Sequence, residues 1–244
     1  MIGIADVPAK VPNATAAQHH LAQIEHDYQQ ALRFAQGAGV TQNYARAVEL
    51  FRRAAESGHV EAQYNLAYLY ENGLGIECDY KQAALWYRKA ALRGDPESQN
   101  NLGVLYATGR GVRRSNRQAI YWYRKAADQD DVEATNNLGM MYMRGRAVKR
   151  DLFQAFELFR KSANRGYAVA QNNLGLMYAN GKPVGQDYVW AYAWFDIAAE
   201  QIAGSGELRD RISKEMTTLD IARARALADR KRAEISERTA DDEQ

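Results

Sequence analysis

Asn100-Asn101-Leu102-Gly103-Val104-Leu105-Tyr106-Ala107-Thr108-Gly109-Arg110-Gly111-Val112 joins one apolar helical face to a glycine-containing turn. A step of 36 residues in either direction recovers the same pattern. Leu66, Leu102, Leu138 and Leu174 are 36 apart, as are Tyr70, Tyr106, Tyr142 and Tyr178, and Gly73, Gly109, Gly145 and Gly181. The alanines Ala47, Ala83, Ala119, Ala155 and Ala191 keep the same step and extend it to a fifth, weaker copy at the front. A fixed period of roughly 20–50 residues is the mark of stacked structural repeats, in which each unit buries its apolar face against its neighbours. Such chains present surface and rarely enclose a reaction.

Within one copy, Asp95-Pro96-Glu97 reads as a helix start, because aspartate caps free amides and proline suits the first helical position. Helix A then runs to about Thr108, with Gln99, Leu102, Gly103 and Tyr106 on one face and Ser98 at its edge. Gly103 has no side chain to hold the paired helix away. Helix B, near 117–128, buries Ala119, Trp122, Tyr123, Ala126 and Ala127 by the same periodicity. Gly58, Gly94 and Gly166 stand where helix B must stop in a left-handed conformation, and Asp130 takes that place in the third copy. Ala147 and Pro183 replace the second loop glycine and should stiffen those turns. Helices of about a dozen residues are marginal alone, so each pair depends on its neighbours.

The chain has 244 residues, with Lys plus Arg 32 against Asp plus Glu 30. A net charge of +2 gives no global drive toward nucleic acid or membrane. The one cysteine, Cys78, cannot form an internal disulfide, and it lacks a neighbouring base that would make it a nucleophile. Residues 1–15 hold no basic stretch followed by an apolar run, and no window approaches ~18 apolar residues. A cytoplasmic chain without a signal peptide or membrane span is expected.

The stretch quoted first, followed by Ala119-x-x-Trp122-Tyr123-x-Lys125-Ala126-Ala127, resembles the Sel-1-like repeat family, relatives of the tetratricopeptide repeats. Leu102-Gly103-x-x-Tyr106 and Ala119-x-x-x-Tyr123-x-x-Ala126 match the two helices of the tetratricopeptide unit, with four residues added between them and two lost after. The likeness covers about 24–202 and reaches the C-terminal part through Tyr192-Ala193-Trp194-Phe195-x-x-Ala198-Ala199, Leu208-Arg209-Asp210 and Met216-Thr217. In the first copy Gln30 and Ala31 stand where the others have Leu-Gly, which fits a capping helix with a polar outer face. Some members carry a cysteine pair in each repeat and act on β-lactams. This chain has neither those pairs nor Ser-x-x-Lys, so that activity is not carried over.

The resemblance and the period together imply an all-α, right-handed α/α superhelical solenoid. Five repeats are expected at about 24–58, 59–94, 95–130, 131–166 and 167–202, within a solenoid spanning 15–202. A disordered segment at 1–14, capping helices at 203–238 and a disordered tail at 239–244 complete the plan.

The search for chemistry gives little. Gly73-x-Gly75 and Gly109-x-Gly111 follow helices, whereas a phosphate-binding fingerprint needs a preceding strand. His19, His20, His26 and His59 lack ligand spacing, and no serine has a nucleophile context. No enzyme activity, cofactor or metal is expected. Asn65, Asn101, Asn137 and Asn173 precede the buried leucine in each copy and read as structural hydrogen bonders to the loop between the helices.

The outward face of helix A says more. Tyr64, Tyr68, Val104, Met140, Met143 and Leu176 form an apolar stripe with Asn100, Asn136 and Asn172 beside it. By analogy with tetratricopeptide arrays this face lines the concave groove and suits a partner peptide; packing between neighbouring helices is the other reading. The loops give a second signal. Arg110, Arg113, Arg114 and Arg117 are followed one unit later by Arg144, Arg146, Lys149 and Arg150, against Glu71, Glu77 and Asp79 in the second copy. This basic edge is either solvated or fitted to an acidic segment or anionic polymer. It lacks the interleaved aromatics of a nucleic-acid platform, so nucleic acid is not expected. A non-enzymatic scaffold or adaptor for a protein or peptide partner is the favoured function, with an anionic-polysaccharide or envelope-associated binder as the alternative.

Overall fold

The computed structural model describes residues 14–242. Among them the chain forms twelve α-helices and no strand. Their contacts divide it into two compact units, ending and beginning at Arg93 and Gly94.

The first unit holds α1 (Ala14–Gln36), α2 (Tyr44–Glu56), α3 (Val60–Asn72) and α4 (Tyr80–Leu92). Here α1 pairs with α2, α3 with α4, and α2 packs on α3. The second unit holds α5 (Pro96–Thr108), α6 (Asn116–Ala127), α7 (Val132–Arg144), α8 (Leu152–Ala163), α9 (Ala168–Asn180), α10 (Tyr188–Ala198), α11 (Ala203–Ser213) and α12 (Thr218–Asp242). Its hairpins are α5–α6, α7–α8 and α9–α10, joined by α6 on α7 and α8 on α9, while α11 and α12 cover α10. The fold is therefore the expected succession of helix–loop–helix repeats.

The local chemistry is the one read from the sequence. Asp95 accepts from the Ser98 amide at 2.7 Å, with Pro96 at the first helical position. Gln99, Leu102, Gly103 and Tyr106 are buried, as are Ala119, Trp122, Tyr123, Ala126 and Ala127. A Cβ on Gly103 would stand 2.6 Å from the Tyr123 ring, and one on Gly139 2.8 Å from Phe159. Glycine there lets the two helices of a hairpin close on an aromatic ring. Asp130 and Ala147 hold φ of 63° and 59°, the left-handed conformation that glycine takes at equivalent places.

Hairpins are also tied to one another by polar bonds. The Arg52 guanidinium donates to the Tyr70 hydroxyl at 3.1 Å, and Arg124 to Tyr142 at 2.9 Å. Gln63 and Gln171 cover the last carbonyls of the preceding helix B at Ala55 and Ala163. At the C-terminal end Phe159, Leu174, Met177 and Trp194 bury against Ala228 of α12. Asp196 accepts from Arg209 and Arg232, both at 2.8 Å, and fastens α10 to α11 and α12. Burial alone would raise this carboxyl, but the Arg232 and Arg209 guanidinium groups hold it below the usual range.

Two expectations change. Helix α1 begins at Ala14, and α12 continues through Asp242, so 239–242 are helical. Residues 1–13 and 243–244, also assigned to disordered ends, lie outside the described residues.

Candidate partner-binding surface

In the second unit the helices α5, α7 and α9 lie side by side, and their shared face has two layers. The lower layer is a ladder of amides. Asn100 and Asn136 are buried at 3% and 4% exposure, which corrects the expectation that they project into a groove. Asn137 donates to the Asn100 side-chain oxygen at 3.0 Å, and Asn173 to that of Asn136 at 2.9 Å. Asn100 donates in turn to Glu133 at 3.2 Å, and Ser205 of α11 donates to Asn172 at 2.9 Å. The cause is lateral. Residue i of one helix A meets residue i+37 of the next, a seam that a wheel drawn for one helix does not show. Asn137 and Asn173 are structural, as expected, but their partner is the neighbouring helix and not the loop. In the first unit Asn65 bonds the Glu61 carbonyl of its own helix at 2.8 Å.

Above this ladder stand Val104, Met140, Met143 and Leu176, all half-buried, with Asn172 also half-buried. The Asn173 amide lies 3.9 Å from the Met140 sulfur, so the apolar strip rests directly on the polar seam. The first unit presents its own pair of tyrosines. Tyr68 is 44% exposed, and Tyr64 is half-buried with its ring 5.9 Å from that of Tyr87.

The basic residues occupy the loops between α5 and α6 and between α7 and α8, with Arg117 in the first turn of α6 and Arg144 ending α7. Arg110, Arg113, Arg114, Arg117, Arg144, Lys149 and Arg150 are exposed and Arg146 is half-buried. Arg150 has a second role. Its Nε donates to the Met143 carbonyl at 3.1 Å, covering the end of α7. The bond recurs at the same repeat position from Gln42 to Ala35 and from Gln186 to Ala179, both at 2.8 Å, and from the Cys78 thiol to Glu71 at 3.2 Å. That position therefore satisfies an orphan carbonyl in four copies, with glutamine, cysteine or arginine.

Arg150 also lines a cleft of about 360 Å³ with Met143, Leu152, Asn173, Leu176, Met177, Asn180 and Lys182. Four residues singled out in the sequence, Met143, Leu176, Asn173 and Arg150, meet here. The opposite ends of α5 and α7 are acidic. Asp131 caps α7 and is half-buried, and burial raises its carboxyl. Glu133 is raised too, by burial first and then by the charges of Asp131 and Glu97. Along α5 and α7 the face thus runs from carboxylates at the helix starts to cations at the helix ends. Among the described residues no cluster of His, Cys, Asp or Glu could hold a metal ion, and no helix is long and apolar enough to cross a membrane.

Comparison with known proteins bears on this arrangement. The Sel1 repeat model matches 15–59, 60–95, 96–131, 132–167 and 168–201. The chain belongs to the Sel1 repeat family. Members are generally protein–protein interaction scaffolds. A Sel1 repeat protein from Oxalobacter formigenes is 30% identical, with a TM-score of 0.75 over 81% of each chain. The Escherichia coli protein c5321, described as a protective antigen of uropathogenic strains with an SLR fold, is also 30% identical with a TM-score of 0.56. That match covers 91% of this chain and 56% of the other, so this chain spans little more than half of its length. PilF of Pseudomonas aeruginosa, 23% identical with a TM-score of 0.59 over 91% of this chain and 99% of that one, shares the fold alone. No curated protein matches.

Against the Sel1 framework, the reading of the sequence missed Lys182, Leu152 and Met177 as members of the cleft. Lys182 lies 36 residues after Arg146, so extending the basic-loop register by one more Sel1 repeat would have placed it.

Proposed function

We propose that this Sel1 repeat protein is a non-enzymatic adaptor that holds a segment of a partner protein across the face of α5, α7 and α9. The observation that supports this is the pairing of two layers. The amides beneath are bonded to one another, which makes a stiff floor, while Val104, Met140, Met143 and Leu176 above remain partly uncovered. A preformed apolar strip on rigid helices costs little ordering on association. The tyrosines Tyr64 and Tyr68 would form a separate contact area on the first unit.

The direct test replaces Met140 by Glu and, separately, Leu176 by Glu, and measures binding of proteins captured by the wild-type chain. Each substitution should remove the same partner while the melting curve stays within a few degrees of wild type. Retained binding by both variants would refute the assignment of this face.

A second reading is supported by Arg113, Arg114, Arg117 and Lys149, which are exposed and form no ion pair among the described residues. An anionic polysaccharide could lie along them. Charge reversal of Arg113, Arg114 and Lys149 would abolish retention on a heparin column if that reading holds, and Met140→Glu would not.

A further inference from the structure

We infer that the cleft at the C-terminal ends of α7 and α9 receives a carboxylate side chain carried beside an apolar one, so that the partner segment is acidic at this end. The inference rests on the adaptor reading of the same face and narrows its partner chemistry. The lining is split by chemistry. Met143, Leu152 and Leu176 give it half-buried apolar walls, and Arg150 and Lys182 give it two exposed cations. Among the described residues its lining contains no carboxylate. The Arg150 Nε is engaged with the Met143 carbonyl, which anchors the guanidinium at the rim. Its Nη groups have no partner among the described residues, and a forked pair of donors of this kind matches a carboxylate.

Volume and polarity narrow the occupant further. About 360 Å³ lies in the roughly 300–1,000 Å³ range of concave binding sites and accommodates side chains, not a folded element. A polyanion without apolar groups would meet the cations and leave Met143, Leu152 and Leu176 wet. A purely apolar segment would bury two cations against nothing. A carboxylate next to Leu, Met or Phe satisfies both halves, and methionine side chains adapt to different shapes. Direction follows as well. The start of α7, roughly 20 Å away along a 13-residue helix, carries Asp131 and Glu133, which repel the same acidic group.

The test pans a random peptide library displayed on phage against the full chain and measures the recovered peptides, fluorescently labelled, by polarisation. The variant is Arg150→Gln with Lys182→Gln. Glutamine already makes the carbonyl bond at this repeat position in Gln42 and Gln186, so the charge is removed while the helix end stays covered. Lys182→Gln alone is the safeguard should the pair alter the melting curve. The expected result is enrichment of Asp or Glu beside Leu, Met or Phe, and affinity lower by on the order of tenfold in the variant. Peptides that bind the variant as tightly as wild type but fail to bind Met140→Glu would overturn the cleft assignment and leave the adaptor face standing. Peptides indifferent to both variants, or no enrichment over a bare surface, would count against both.

Discussion

Gly75→Ala and Ala147→Gly change the same repeat position in opposite directions, 72 residues apart, and should move stability with opposite signs. A Cβ on Gly75 would stand 2.3 Å from the Tyr44 carbonyl carbon and 2.4 Å from the Ala45 nitrogen. These are main-chain atoms at the first turn of α2 and cannot swing aside. The backbone adds a further penalty, because Gly75 holds φ of 69°. Left-handed geometry costs an L residue about 1–2 kcal/mol, and overpacking about 1–3 kcal/mol. Stiffening the unfolded chain returns about 0.4–1 kcal/mol, which leaves a destabilisation near 3 kcal/mol, within about 1–4.5 kcal/mol. Ala147 at φ 59° already carries the left-handed cost, and it is exposed. Glycine there should stabilise by up to about 1.5 kcal/mol after the unfolded-state term is subtracted. Urea unfolding followed by circular dichroism gives the two values, and hydrogen exchange of α2 and α3 locates the first. A neutral Gly75→Ala with unchanged exchange at the start of α2 would refute the close nesting of this loop on α2.

Two further predictions concern single residues. Asp130 combines left-handed strain with ion pairs to Lys161 at 2.8 Å and Arg165 at 3.2 Å, and the Lys161 hydrogen bond leads in holding its carboxyl below the usual range. That contribution is full above the ordinary carboxylate pKa and is lost as pH falls through the lower folded value, so the Tm difference of Asp130→Gly over wild type should grow in favour of glycine in acid. A difference that stays constant with pH would mean that the pairs contribute nothing. Asn173→Ala removes the donor to the buried Asn136 oxygen and should cost about 1–3 kcal/mol in the same urea assay, whereas an unchanged midpoint would remove the amide ladder from the account.

The period made the hairpins legible because each element has its own local chemistry: Asp95 at a helix start, Gly103 under a ring, Gly109 at a helix end. The seam between hairpins was not legible in the same way. Asn100 and Asn136 look outward on their own helix, and only the neighbouring helix turns them inward through Asn137 and Asn173. A search for side chains complementary at i and i+37 would have shown it. Arg150 was read as free charge because its bond to Met143 links positions seven apart around a loop. The parallel glutamines at 42 and 186 were the available signal. The cleft needed coordinates, since Leu152, Met177 and Lys182 reach it from separate elements.

The central claim is that the face of α5, α7 and α9 is the working surface, and site-specific photo-crosslinking tests it most directly. Benzoylphenylalanine would be placed at Met140, at Leu176 and, as a control, at Phe153, which is 62% exposed on α8. The account predicts one and the same protein adduct from positions 140 and 176 and none from 153. Adducts from 153 with none from the other two would contradict it.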